Sequence, residues 1–210
     1  MNNERLVIVD GVRTPFCKMG TDLARMGADE LGRIAVNALL TRTGLDPALI
    51  ARYFGSKEGL YLAVIEDAYA RIRAIEAGLH LEDLSPEDAL RKLVGFTFDY
   101  QHENEDFIRL VMNENMHRGE FLAQSKTIQQ LNVPAISAVQ SVYERGVKAR
   151  VFRKGLDPVD LHMSISALCF FSVANRHTFA LIFKRDMESP RALRQRRDSI
   201  IEMIVRFVRK

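Results

Sequence analysis

The sequence predicts a mainly helical protein with a short strand–turn–helix segment at its N-terminus. After Gly44, apolar residues recur at spacings of three and four, which is typical of amphipathic helices. Several helix starts also share a Ser or Asp cap followed directly by proline, as in Ser85-Pro86 and Ser189-Pro190. Together these signals predict roughly six or seven helices.

Composition excludes several classes of protein. The 210 residues are 47% hydrophobic and 27% charged, which argues against a disordered, collagen-like or membrane-embedded chain. The longest apolar runs fall short of the roughly 20 residues that span a bilayer. Cys17 and Cys169 cannot build a disulfide framework, and no charged-then-apolar leader precedes Arg5. We therefore expect a cytoplasmic protein with no membrane partner.

The net charge of +3 is unevenly distributed. Residues 1–50 hold six Lys/Arg and six Asp/Glu, residues 51–183 hold fifteen and seventeen, and residues 184–210 hold nine and four. The positive excess is thus confined to the C-terminal segment. Because a nucleic-acid binder concentrates positive charge where it meets phosphate, charge alone does not predict DNA binding by the N-terminal part.

The N-terminal segment reads as strand, turn and helix. Leu6 to Val9 form a β-branched run that fits a short strand, and the following residues to Gly20 read as a loop. From Ala28 the pattern becomes helical, and Gly44 is expected to end that helix. No second convincing strand follows, so the first one has no sheet to join.

The remaining elements are all predicted to be helices. Asp46 and Pro47 open a helix to about Phe54, and Ser56 caps the next one, which runs to about Ala77. The later helices are predicted over residues 86–103, 106–116, 121–149 with Pro134 ending or kinking it, 158–183 and 190–208.

The string Tyr53-Phe-Gly-Ser-Lys-Glu-Gly-Leu-Tyr61 resembles the end of the DNA-binding domain of TetR-type transcriptional regulators. In that family a short recognition helix ends in an aromatic pair and is followed by a Ser-Lys-Glu helix start. The resemblance implies operator DNA as a partner, with contacts from Asp46, Arg52, Tyr53 and Lys57. An ordinary capped helix with a core aromatic is the alternative reading of this string.

The TetR resemblance covers about residues 45–210. It continues through Val142-Tyr143-Glu144-Arg145-Gly146, Val151-Phe152 and Leu156-Asp157-Pro158. It implies a homodimer through the last two helices, which would pair as a four-helix bundle, and a repressor controlled by a small apolar or amphipathic effector. An apolar stripe on the final helix supports this dimer, and its members are Leu193, Ile200, Met203, Ile204 and Phe207. Most of the arginines on that helix are predicted to form a solvated outer face.

Aromatic and methionine residues are dense enough in the middle helices to line an effector pocket. The candidates are Phe96, Tyr100, Phe107, Met112, Met116, His117 and Phe121. Glu114 lies one turn before His117 and would also meet a ligand. At helical spacing such residues are core more often than pocket, so both readings stay open.

The first 50 residues resemble a different family. The strand and Arg13-Thr14-Pro15 turn, then Gly20-Thr21 and Ala28-Asp-Glu-Leu-Gly32, are similar to the opening of a thiolase, an acyl-CoA acyltransferase. In that family this segment is scaffold, and none of the three strings that carry the catalytic Cys, His and second Cys occurs here. We therefore expect no enzyme activity, no cofactor and no metal site, and an inert buried thiol at Cys169.

The two resemblances meet near Ala48. The simplest hypothesis is a composite chain in which thiolase-like sequence has replaced most of the regulator's helix-turn-helix head. Its domains would be residues 1–50, overlapping a partial helix-turn-helix at about 28–55, and an effector-binding and dimerisation domain at 56–210. The alternatives are a sensor dimer unable to bind DNA and a non-catalytic thiolase fragment.

Overall fold

The structure is a computed structural model, and it describes residues 37–44 and 47–210. The chain divides into two compact units, Met1–Leu60 and Tyr61–Lys210. Within the described residues the regular structure is helical, with an isolated β-bridge between Phe152 and Arg209 and no strand. The mainly helical fold class is therefore confirmed. The strand predicted at Leu6 to Val9, the loop after it and the cap at Asp46 lie outside the described residues.

In the first unit, two left-handed glycines separate three helical segments. Residues 37–43 are helical, and Gly44 (φ 66°) ends them by donating its N–H to the Leu40 carbonyl at 2.8 Å. Helix α1 spans Pro47–Phe54. Gly55 (φ 73°) ends α1 with an N–H bond to the Ala51 carbonyl at 2.9 Å. Both glycines occupy the position after a helix where a side chain would strain the backbone.

Helix α2, Lys57–Ala77, begins in the first unit and continues into the second. The second unit then contains a 3₁₀ turn at Leu81–Asp83, α3 at Pro86–Glu103, α4 at Glu105–Met116, a 3₁₀ turn at Leu122–Gln124, α5 at Lys126–Lys148, α6 at Pro158–Ala174, α7 at Arg176–Phe183 and α8 at Pro190–Val208. The predicted caps of α3, α6 and α8 are confirmed. The side chains of Ser85, Asp157 and Ser189 accept backbone N–H groups at 2.9 to 3.2 Å.

Two helices differ from their predicted bounds. Helix α5 begins at Lys126 rather than 121, because the buried Ser125 hydroxyl accepts the Ile128 N–H at 3.0 Å and caps it there. The same helix runs through Pro134, which lies on an exposed side where water can satisfy the unpaired carbonyl. The helix predicted at 158–183 is broken at Asn175 into α6 and α7, bent by 65°.

No single helix within residues 37–44 and 47–210 is long and apolar enough to cross a membrane. Within the same residues, α6 and α7 taken together have the length and apolar composition of a membrane-spanning segment, but they are bent at Asn175.

The core of the second unit is organised around α3. This helix packs against α4, α5, α6 and α8, and it buries residues along most of its length, among them Leu90, Leu93, Val94 and Phe98. The facing core residues are Val139, Val142, Leu161, Ile165, Cys169, Ile200, Ile204 and Val208. Burial of these side chains is the main source of stability in such a bundle.

Side-chain hydrogen bonds fix the connections at the ends of the bundle. The Arg145 guanidinium donates to the carbonyls of Leu81, Glu82 and Leu84 at 2.7 to 3.1 Å and so holds the 3₁₀ turn before α3. The buried Tyr143 hydroxyl donates to the Arg153 carbonyl at 2.9 Å and accepts the Leu156 N–H at 3.0 Å. The segment between α5 and α6 is thereby tied to the α5 helix.

We predict that Gly146→Ala destabilises the protein. Gly146 lies in α5 directly beneath the ring of Phe152, which is 2% exposed, and an added Cβ would overlap that ring. Overpacking of this kind costs about 1–3 kcal/mol, which outweighs the gain in helix propensity and lowers the midpoint of thermal unfolding by several degrees. Gly78→Ala is the control, because a Cβ there meets only an ordinary contact. Equal midpoints for the two variants would contradict the packing described.

Candidate functional site

The predicted DNA-contacting residues lie around the junction of α1 and α2. Arg52, Tyr53 and Lys57 are all exposed, Tyr53 at 66%. The Ser56 hydroxyl accepts the Gly59 N–H at 3.0 Å, so the predicted cap of α2 is confirmed. Two cations and a phenol thus share a short exposed segment. Asp46, the fourth predicted contact, is outside the described residues.

The start of α2 favours negative charge. The backbone N–H of Glu58, together with the Ser56 hydroxyl, holds the pKa of the Glu58 carboxyl below its ordinary value. This is the effect expected where free N–H groups and the helix dipole converge. A phosphate group placed here would meet the same N–H groups and the neighbouring Lys57.

Aromatic residues of the predicted effector pocket fall into two groups. The ring of Tyr100 lies 5.8 Å from that of Phe96 and 6.0 Å from that of Phe107. The Phe121 ring instead packs edge-on against Tyr61, with centroids 4.8 Å apart. All four predicted rings are buried or half-buried, so they pack within the second unit.

Three other predicted pocket residues do not face the interior. Met112 and Met116 are 37% and 73% exposed, and His117 is also exposed. Helix α4 buries Ile108 and Glu114 and half-buries Phe107, whereas Met112, Met116 and His117 lie on its exposed side. Placing Met112, Met116 and His117 in an enclosed pocket is therefore not supported by their position.

Glu114 is the most unusual polar residue of this region. It is 1% exposed, its Oε2 accepts the Leu122 N–H at 3.0 Å, and its Oε1 has no hydrogen-bond partner among the described residues. Burial chiefly, and the Glu114 carboxylate in addition, raise the pKa values of Tyr61 and Tyr69. Sequence reasoning paired Glu114 with His117 as ligand contacts. Its burial beside two tyrosines has no sequence signal.

A cavity of about 520 Å³ lies elsewhere, between the end of α3, helices α6 and α7, and the first half of α8. Its lining residues are His102, Phe171, Ser172, Phe179, Arg185, Asp186, Met187, Ser189, Arg191, Ala192, Leu193, Gln195, Arg196 and Ser199. None of the seven predicted pocket residues is among them. Sequence reasoning missed this cavity because it assembles residues nearly 100 positions apart.

The predicted dimer stripe on α8 is divided by the structure. Ile200 and Ile204 are 0% and 2% exposed inside the protomer, and Leu193 packs against that core. Only Met203 and Phe207 are exposed. The predicted stripe therefore includes residues of the protomer's own core. A helix that packs on its own core and on a partner carries apolar residues on two faces, and periodicity alone does not separate them.

Helix α6, which packs beside α8, carries a matching exposed face. Val159, Met163 and Phe171 are exposed at multiples of four residues, a spacing that places them on one side of the helix. Three further apolar residues, Leu181, Ile182 and Phe183, are exposed at the end of α7. No pattern in the sequence separates these exposed residues from those of the core.

Cys169 and the histidines carry no catalytic arrangement in the described part of the chain. The Cys169 side chain is fully buried, and burial raises the pKa of its thiol to about 12, which keeps it protonated and unreactive. His80, Glu82 and Asp83 bring their ligand atoms within 4.8 Å of one another, but all three are exposed on a turn.

Comparisons with known proteins agree with the regulator-like fold. The sequence family described as "Tetracyclin repressor-like, C-terminal domain" matches residues 86–204. The HTH-type transcriptional repressor NicS of Pseudomonas putida is 31% identical over 179 residues, which are 85% of this chain and 84% of that protein. A match of that length also includes part of the first 50 residues.

The N-terminal segment is similar to thiolases as well. The 3-ketoacyl-CoA thiolase of Serratia proteamaculans is 51% identical over 49 residues, 23% of this chain, and the chain spans only 11% of that enzyme. The lengths of the repressor and thiolase matches together exceed 210 residues, so the two similarities overlap.

Solved structures support the same fold. A tetR-family regulatory protein from Rhodococcus RHA1 superimposes with a TM-score of 0.62 at 17% identity, over 84% of this chain and 88% of that one. A transcriptional regulator from Streptomyces coelicolor gives a TM-score of 0.59 at 20% identity, over 89% and 91%. With the family match and the NicS identity, these findings show that the chain belongs to the TetR family of transcriptional regulators.

Proposed function

We propose that this regulator is a repressor that binds operator DNA as a homodimer in the cytoplasm and is controlled by a small molecule. Repression is the function named for NicS, the relative at 31% identity. The observation that carries DNA binding is the exposed surface of Arg52, Tyr53 and Lys57 around the capped start of α2. Residues 1–55 would form the head and residues 56–210 the ligand-binding and dimerisation domain.

Each head residue has a distinct proposed role. Arg52 and Tyr53, at the end of α1, would reach base edges or sugar–phosphate in the major groove. Lys57 and the N–H groups at the start of α2 would hold one phosphate. Asp46, from the turn before α1, is proposed as a further contact. Phosphate contacts set the position of the head, whereas contacts to base edges set its sequence preference.

Control by a ligand would act through a shift in population. A ligand that binds one dimer geometry more tightly favours it, and a geometry whose recognition helices no longer match successive major grooves, about 34 Å apart, releases the DNA. Phe96, Tyr100, Phe107 and Phe121 remain the proposed aromatic residues of the effector region. Glu114 joins them, because its buried Oε1 has no hydrogen-bond donor in the part of the chain that the structure describes.

The proposed dimer surface consists of Val159, Met163 and Phe171 on α6 with Met203 and Phe207 on α8. Each is exposed in the single chain, and the two helices pack side by side. Contiguous apolar patches of this kind mark interaction sites on soluble proteins. The same faces from two protomers would form a four-helix bundle about a two-fold axis.

A second candidate function is a sensor dimer that does not bind DNA. The observation that favours it is the overlap of thiolase-like and regulator-like similarity within the head. Thiolase activity itself is not proposed, because the thiolase match is short and the catalytic strings do not occur in the sequence.

A gel shift with duplex DNA from the regulator's own upstream region, beside light scattering of the purified protein, tests the two candidates. The repressor proposal requires a dimer that retards this DNA. A dimer that retards neither this duplex nor a random one at low salt would replace the proposal with the sensor.

We predict that Lys57→Ala weakens binding to every DNA sequence and lowers the slope of log affinity against log salt by about one for each bound head. The reason is the loss of one phosphate contact. Fluorescence anisotropy with a random-sequence duplex over a range of salt concentrations measures both quantities.

Lys126→Ala is the matched control for Lys57→Ala. Lys126 also follows a serine cap at the first position of a helix and is exposed, but it lies in α5. An unchanged affinity in Lys57→Ala, or an equal loss in Lys126→Ala, would refute the proposed head.

We predict that Met203→Glu/Phe207→Glu converts the dimer to a monomer at micromolar concentration, because two carboxylates would be buried against their symmetry mates. Light scattering gives the mass, and circular dichroism checks the fold. Val133→Glu introduces the same change at an exposed residue of α5 and should leave the dimer intact. A double variant that stays dimeric would rule out this surface.

A further inference from the structure

The 520 Å³ cavity between α3, α6, α7 and α8 has the size of a small-molecule site. Its residues come from four helices and from the loop between α7 and α8. It lies entirely in the second unit and shares no residue with the aromatic group of Phe96, Tyr100 and Phe107. The charge and composition of its wall indicate what it binds.

Arg185, Arg191 and Arg196 line the cavity without a carboxylate partner among the described residues. Nearby arginines are paired: Arg176 with Glu105 and Glu188, Arg197 with Asp99, Arg206 with Glu202, and Arg209 with Glu87. The absence of pairing is thus not general in this part of the fold. Arg196 is also half-buried, so part of the charge that it brings to the wall is shielded from water.

The wall contains one carboxylate, that of Asp186, and it already accepts backbone hydrogen bonds. Asp186 accepts the backbone N–H groups of Glu188 and Ser189, each at 3.0 Å. These bonds, with that of the Ser189 hydroxyl, lower the pKa of Asp186 and keep it ionised while it closes the loop before α8. Because three arginines and one carboxylate line the cavity, its wall carries a net positive charge.

The remaining wall is largely apolar. Phe171, Phe179, Met187, Ala192 and Leu193 line it, and the Phe171 and Phe179 rings meet edge-on with centroids 5.9 Å apart. An aromatic or aliphatic body would be buried against these side chains, with its charged end among the arginines.

His102 also lines the cavity. Its ring stacks on Phe98 with centroids 4.0 Å apart, and Nδ1 bonds to the Phe98 carbonyl at 2.8 Å, so Nδ1 carries the hydrogen. Its Nε2 is then an acceptor, buried and without a partner among the described residues. Because Nε2 has almost no accessible surface, the cations of the wall come from the arginines and His102 contributes a stacked ring.

We propose that this cavity binds an amphipathic organic anion, a carboxylate on an apolar ring or chain, with Arg185, Arg191 and Arg196 holding the carboxylate. Phe171 belongs both to this cavity and to the proposed dimer surface, so a bound ligand would bear directly on the packing of the dimer. Use of the cavity as an effector site, separate from the aromatic region of Phe96 and Tyr100, rests on the proposed function, whereas binding of the anion does not.

Calorimetry with 1-naphthoate and 1-naphthamide on the full chain, without DNA, tests the site. The two probes share a ring system and differ in charge. We expect naphthoate to bind at least tenfold more tightly than naphthamide, and Arg191→Gln and Arg196→Gln each to weaken naphthoate about tenfold, as for loss of a charge-assisted hydrogen bond. Phe179→Ala should weaken both probes.

Arg194→Gln is the matched control, because Arg194 is also unpaired among the described residues and exposed on α8 but does not line the cavity. Equal losses in Arg194→Gln and Arg196→Gln, equal affinities for the two probes, or no binding because a second copy fills the cavity in the dimer would each overturn the proposal. A gel shift that fails while naphthoate still binds would count against the proposed function and leave the site standing.

Discussion

Helix α3 is the element on which the second unit depends. It packs against α4, α5, α6 and α8, and one of its half-exposed charged residues, Asp99, pairs with α8. Asp99 accepts three hydrogen bonds from Arg197 of α8, at 2.8 to 3.0 Å, and Gly95 leaves the space that the guanidinium fills. The pair joins the two helices at a half-exposed edge of their contact, and the rotation of α8 follows mainly from burial of its apolar face. Ile200 and Ile204 then point inward, and Met203 and Phe207 outward.

The arginines of the C-terminal region have different surroundings in this packing. Arg197 is held by Asp99, and the hydrogen bonds that its guanidinium donates to that carboxylate raise the pKa of Arg197. Arg206 pairs with Glu202 on the solvated side, where such pairs add little stability. Arg191 and Arg196 instead line a cavity. The positive charge of residues 184–210 therefore comes from arginines in three environments: paired with the bundle, paired at the solvated surface, and lining a cavity.

Local signals were predictable from the sequence, and long-range ones were not. Ser85, Asp157 and Ser189 act within three residues, so their caps follow from sequence alone. The break at Asn175 was missed because apolar periodicity continues on both sides of it. The dimer surface could not be predicted, because the periodicity of α8 does not show which of its apolar residues face the protomer's own core. The 520 Å³ cavity joins His102 to Arg196, and no periodicity connects residues so far apart.

The similarity of the N-terminal segment to two families involves the local signals that form and end a helix. Residues 37–43 form a helix with half-buried Ala38, Leu39 and Leu40, and Gly44 ends it in the left-handed conformation. An apolar side and a left-handed glycine at the end are general features of packed helices, so they do not distinguish one family from the other. Operator binding demands more, because a recognition helix is useful only when it is held at a fixed angle to its neighbours. The turn at Gly44 alone therefore does not decide whether this head reads DNA, because that turn ends a helix without setting the angle of α1.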